Sequence, residues 1–289
     1  MKKIKPFFVC LSLIVHSNLF SQQETSNAVQ ITTEYNQETE KLSFIGENQD
    51  LCDYVVCVIL TGQTRFIIAR PGKSELFNVK IAPGTSYAGY RFAMYRGTTD
   101  LKPNIDFTYC LPISKGDSLA MTVNFFSNNY QMDFIVSSDS IFAIRDGVVC
   151  NDDLKDFTEK GYQHFNDRRF IKQITIYHKD GTFGEYVFVG KPLVSRGSKV
   201  KMGQPIADIG KYGRFSLSLY FLDKNKLKNI SIGNKHTHFR PFFQTSNEGK
   251  VRLNENEKYY CELDNEMLMQ DMNKREQKKF NKIQINEKL

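Results

Sequence analysis

His236-Thr237-His238 is the pattern with the plainest chemistry in this sequence. Two histidines two apart on a strand point the same way, and with a third donor they can hold a metal ion. The plainer reading is an edge strand with its polar residues outward. His178 and Asp180 flank Lys179 at a turn, and Asp133 stands in Tyr130-Gln131-Met132-Asp133-Phe134. Ser216, Ser218 and Tyr220 alternate with Leu217, Leu219 and Phe221. A strand so patterned turns its hydroxyls toward a cleft or water and its apolar side chains into a core. His164 stands alone in a charged stretch, where an exposed histidine is ordinarily only that. Beyond residue 21 the cysteines are Cys52, Cys57, Cys110, Cys150 and Cys261. That is an odd number at no metal-like spacing, with no histidine-containing context for a nucleophile. In an exported chain some can pair; Cys52 and Cys57, five apart, would point to opposite faces of a straight strand, so a bridge between them needs a bend.

The elements that must position these groups are short strands. Ile174 and Ile176, then Tyr186 and Phe188 beyond the turn Lys179-Asp180-Gly181, recur at every second residue. This is the period of strands with one buried face, and Asp-Gly is a strong hairpin signal. After the hairpin, Gly197, Gly203, Gly210 and Gly213 stand between short apolar pairs and predict tight turns between short strands, closed by a strand over residues 215–222.

These pieces resemble the catalytic domain of the lysostaphin-type, or LytM-type, zinc endopeptidases of bacterial cell walls. That family has a strand V-x-I-x-H-x-D-G, then Y-x-H-L, then V-x-x-G-x-x-V-x-x-G-Q-x-I-x-x-x-G, then G-P-H-L-H-F. Ile174, Ile176, His178, Asp180 and Gly181 match the first piece. Val194, Gly197, Val200, Gly203, Gln204, Ile206 and Gly210 match the third in register. Upstream, residues 130–134 and 141–149 resemble the family's Asp-bearing strand and its A-x-R-D-G-x-V strand. The resemblance covers roughly residues 105–245.

The resemblance also implies where the chemistry has gone. Zinc in the active relatives is held by an upstream histidine, by an aspartate and by the second histidine of H-x-H. Asp133 keeps the carboxylate, Asn128 and Asn129 or a shortened loop stand in place of the first histidine, and Ser218 stands at the last position. A catalytic zinc site uses three protein ligands and an open position, and a serine hydroxyl is a poor substitute for imidazole or carboxylate. The two histidines that orient water align with Phe188 and Ser216, neither of which can shuttle a proton near neutral pH. Without zinc to lower the pKa of bound water, no nucleophile is left. His178 matches a family histidine that is not a ligand and reads as structural. His236 and His238 look like the missing H-x-H but come after the final motif strand, out of register. A rebuilt metal site would have to combine Asp133 with His178, His236 or His238.

Residues 1–21 combine Lys2, Lys3 and Lys5 with an apolar run too short to span a bilayer, ending near Ser21, and read as a cleaved signal peptide. Its removal lowers the formal net charge from +7 to +4, too mild a basicity to imply nucleic acid. Residues 22–28 are polar and read as flexible. Residues 29–110 read as strand after strand punctuated by Gly62, Pro71-Gly72 and Pro83-Gly84, a β-sandwich. Within it, Tyr87, Tyr90, Phe92 and Tyr95 are a ligand platform or, more plainly, a packed strand face. Residues 111–253 read as the peptidase-like domain, interrupted at 151–169 by a charged loop or short helix. Residues 254–289 read as a charged tail with a helix over about 264–282.

The expected protein is therefore mostly β: an N-terminal β-sandwich, then an antiparallel lysostaphin-type sheet and a short C-terminal helix. Its expected function is that of an exported, catalytically inactive peptidase-like protein of periplasm or cell surface. It would bind peptidoglycan or regulate a cell-wall hydrolase, need no cofactor, and present a groove lined by Asp133, Phe188, Ser216 and Ser218. The alternatives are an active metalloendopeptidase with the rebuilt site, or a purely structural or adhesive surface module.

Overall fold

The computed structural model describes residues 28–60, 63–81, 90–122, 131–150, 171–228 and 233–286. The expectations for the signal peptide, for residues 22–27, for Asn128 and Asn129, for Tyr87 and for the charged segment 151–169 with His164 fall outside them. Among the described residues, no helix is long and apolar enough to cross a membrane. The chain divides into two units, Met1–Thr98 and Thr99–Leu289.

In the first unit, β1 (Val29–Asn36), β2 (Lys41–Asn48), β3 (Tyr54–Leu60), β4 (Gln63–Ala69), β5 (Gly72–Lys80) and β6 (Tyr90–Arg96) form two three-stranded sheets, β1-β2-β5 and β4-β3-β6. Aromatic rings join them. Phe44 of β2 stacks on Phe77 of β5 with centroids 4.3 Å apart, and meets Tyr90 and Phe92 of β6 at 5.0 and 6.0 Å. Tyr90 and Phe92 are thus a packed face, and Tyr95 is buried. At one end, Arg96 pairs with Asp50 at 3.0 Å, and Asp50 also accepts from Tyr54 Oη.

The second unit is built on one large sheet. Its strands are β7 (Thr108–Cys110), β8 (Ser118–Thr122), β9 (Met132–Val136), β10 (Ser140–Phe142), β11 (Gly147–Val149), β12 (Ile171–Tyr177) and β13 (Thr182–Val189). They continue as β14 (Lys191–Pro192), β15 (Lys199–Val200), β16 (Pro205–Asp208), β17 (Arg214–Leu222), β18 (His236–His238), β19 (Phe242–Thr245), β20 (Gly249–Val251) and β21 (Lys258–Tyr260). The large sheet runs β15-β11-β12-β13-β17-β9-β8-β21, and β18 also pairs with β17. Two small sheets, β10-β16-β14 and β20-β19-β7, complete it.

Period-two patterning sets the register. Ile174 lies opposite Tyr186 in the β12–β13 hairpin, and Tyr186 opposite Leu217 of β17. All three are buried with Phe134, Phe215 and Leu219, against Ile141 and Ile206 of one small sheet and Tyr109 and Phe243 of the other. The hairpin closes at Asp180-Gly181, where Asp180 Oδ1 accepts from Thr182 N at 3.2 Å and Thr182 Oγ1 at 2.7 Å. Gly181 takes φ 85°, a left-handed conformation that a side chain disfavours.

Two expected boundaries move. Residues 99–110 belong to the second unit, because β7 pairs in parallel with β19, Tyr109 opposite Phe243. The tail begins with a strand, since Lys258 of β21 lies opposite Ala120 of β8. The single expected helix is two, α2 (Asn265–Met269) and α3 (Lys274–Asn286), following α1 (Lys224–Leu227). Asp264 caps α2 through Met267 N at 2.8 Å. Asn273 Oδ1 then accepts from Arg275 N and Glu276 N, while Glu276 Oε2 accepts from Asn273 N. That reciprocal cap starts a new helix at Lys274 instead of continuing the old one.

Candidate functional site

The face of the large sheet turned away from the core carries the hydroxyl row expected on β17. Asp133 lies on β9 between Thr122 of β8 and Ser216 of β17. Ser216 Oγ donates to Asp133 Oδ1 at 2.5 Å, and Gln131 Nε2 donates to the same oxygen at 3.2 Å. Two residues along β17, Ser218 lies opposite Glu185 of β13. Glu185 Oε2 accepts from Gln173 Nε2 at 2.9 Å and from Tyr220 Oη at 3.5 Å. Asp133, Ser216 and Ser218 therefore share one face, as expected. Glu185 shares it too and was missed; the signal was a single charge set in the otherwise apolar strand Thr182–Val189.

Phe188 does not line that face. It lies opposite Phe215 across β13 and β17, fully buried, on the core side. Adjacent strand residues point to opposite faces, so the β13 side chain opposite Ser216 is Val187. Val187 is only 3 % exposed and forms a small apolar cluster with Ile171 and Val189. Ser216 is 7 % exposed and Thr175 fully buried, so the middle of the sheet is covered on both faces. Asp133 and Ser218 are half-buried.

The histidines lie at two other places. His236 and His238, on β18, pair with Leu222 and Tyr220 of β17. Their rings pack against Tyr220, with centroids 5.2 and 5.3 Å away. Burial lowers the His238 pKa to about 4, helped by His236 and Lys226. This keeps its imidazole neutral near neutral pH. Tyr220 is four residues along β17 from Ser216, the neighbour of Asp133, so the His238 position and Asp133 are about 13 Å apart along the strand direction. His178 is in the core, at the end of β12, with Nδ1 2.8 Å from Asp146 O. Burial, and then the nearby Arg145, lower its pKa to about 4. Asp133 is thus brought together with none of the three histidines proposed to share a metal with it. Among the described residues no three His, Cys, Asp or Glu side chains gather as a metal site requires. Among the described residues the donor set at this place is one carboxylate, short of the three protein ligands that a catalytic zinc takes.

The motif residues that kept their identity hold the fold. Arg145 Nη1 donates to Asp180 Oδ2 at 2.9 Å, and its Nε and Nη2 donate to the two carboxylate oxygens of Asp271 at 2.7 and 2.8 Å. Its guanidinium lies over the Phe107 ring, 3.8 Å from the centroid. Asp146 accepts from Lys201 Nζ at 2.6 Å and Met202 N at 2.8 Å, tying the turn before β16 to β11. Cys52, Cys57, Cys110, Cys150 and Cys261 are all buried. Burial pushes the Cys110 pKa up, and that of Cys261 to about 11, which leaves both poor nucleophiles.

No family model matches this chain, and no curated protein matches it. Among solved structures it is similar to Helicobacter pylori Csd3 from the hexagonal crystal, at 14 % identity and a TM-score of 0.28, over 74 % of this chain and 70 % of that one. The orthorhombic crystal of the same protein gives 12 % identity and a TM-score of 0.27, over 74 % and 72 %. Likenesses this slight carry neither structure nor activity from one chain to the other.

Proposed function

We propose that this is a peptidase-like protein of the bacterial cell envelope that does not hydrolyse peptides and works by binding, either to peptidoglycan or to a cell-wall hydrolase that it regulates. The observation that carries the reading is the Ser216–Asp133 hydrogen bond. At the place where the resemblance calls for a zinc-bound carboxylate beside imidazoles, the carboxylate is held by a neutral hydroxyl. The lysostaphin-type motif register supports the peptidase-like half of the reading, and the loss of proton-shuttling side chains supports the non-hydrolytic half. Envelope location follows the leader pattern of residues 1–21.

Sedimentation with purified sacculi, capture of purified cell-wall hydrolases on the immobilised protein, and digestion of muropeptides and oligoglycine test it together. Retention by sacculi or by a hydrolase without product formation is expected. Turnover that disappears in Asp133→Ala and on chelation would overturn it, as would failure to retain either partner.

A further inference from the structure

Two polar atoms stand out among the described residues: Tyr109 Oη and His178 Nε2 are both buried and both lack a hydrogen-bond partner. They belong to adjoining rings, edge to face at 65°, with centroids 6.4 Å apart. Their chemistry is complementary. His178 Nδ1 lies 2.8 Å from the Asp146 carbonyl oxygen, which can only accept, so the ring proton sits on Nδ1 and Nε2 is left as an acceptor. The Tyr109 hydroxyl brings a donor. Neither reaches the other directly.

Gly184 of β13 lies on the core face opposite Leu219, and a Cβ there would sit 3.1 Å from His178 Nε2. Any side chain at 184 would crowd that nitrogen. Thr182, whose hydroxyl donates to Asp180, and Arg145 are near enough to the Tyr109 hydroxyl to favour its ionised form, although burial outweighs them.

We propose that one ordered internal water joins these atoms, accepting from Tyr109 Oη and donating to His178 Nε2. Buried polar atoms in native proteins are nearly always satisfied, and a buried water ordinarily needs at least two polar partners, which this pair supplies. Water suits the pair because it can accept from one and donate to the other. The site links β7 to the β12–β13 turn, so the water would be part of the joint between the parallel strand pair and the hairpin.

A high-resolution crystal structure should show one solvent peak within hydrogen-bond distance of both atoms. Oxygen-17 relaxation dispersion should count one long-lived water fewer in Tyr109→Phe than in the parent, and the same loss in Gly184→Ala. Ring nitrogen-15 shifts of His178 should show protonated Nδ1 and a hydrogen-bonded Nε2 in the parent. A direct Tyr109–His178 hydrogen bond, an empty site, or an unchanged count of long-lived waters in Tyr109→Phe would overturn the proposal.

Discussion

Ser216 donates its hydroxyl hydrogen to Asp133 at 2.5 Å across the β17–β9 pair, at the place where the lysostaphin-type resemblance expects a zinc-bound carboxylate. A catalytic zinc takes three protein ligands, and a serine hydroxyl is a poor one. Here the neighbour donates to the carboxylate.

Purified protein dialysed against micromolar zinc should therefore retain far less than one zinc per chain. Elemental analysis after removal of free metal checks this. Asp133→Ala should leave the residual metal content unchanged, because among the described residues no three His, Cys, Asp or Glu side chains gather there.

Phe188 is a core side chain, and its truncation should be costly to stability and neutral to binding. Phe188→Ala is expected to lose about 3–5 kcal/mol of unfolding free energy through lost burial and the cavity left beside Phe215. Urea denaturation measures it. A variant of parental stability that no longer binds sacculi or a hydrolase would put Phe188 back in the binding face.

Arg145 is nearly buried and satisfied from two directions by Asp180 and Asp271. Removing the guanidinium leaves two carboxylates facing each other, so Arg145→Met should destabilise the second unit by roughly 3–5 kcal/mol. Asp271→Asn, which keeps one acceptor oxygen, should cost less. Comparing their denaturation midpoints tests the order.

Acid should weaken the fold before the carboxylates titrate. The folded His178 pKa is about 4 and the unfolded value about 6.5, so the unfolded chain binds the extra proton first. Stability is full above pH 6.5, falls as pH drops toward 4, and loses about 3 kcal/mol from this group over that window. His238 is lowered in the same sense and adds to the same window. Denaturation midpoints between pH 7 and pH 4 should slope less steeply in a His238→Gln variant. A profile that stays flat across this range in the parent would contradict the burial of a neutral His178.

Much of the scaffold was legible because period-two patterning survives wherever one face is buried: the β12–β13 hairpin and the hydroxyl row of β17 stand where alternation puts them. β5 was not legible, since Gly72–Lys80 is largely exposed and reads as polar chain. The candidate site was legible by half. Asp133 and the two serines fall on one face, but motif alignment put Phe188 there too, and a shift of one residue in a strand exchanges core for surface. Pairing β13 with β17 decides that point, and no single strand carries the information. Asp271 was illegible for a different reason, because its partner Arg145 lies 126 residues earlier.

The second unit is closed by contacts between residues far apart in sequence. β21 pairs with β8, Asp271 grips Arg145, and Gln270 accepts from Thr108 N through Oε1 and donates to Thr108 O through Nε2. During synthesis the edge of β8 must wait unpaired until residues 258–260 have left the ribosome. Folding of the unit should then be slow, as expected where decisive contacts are far apart in sequence.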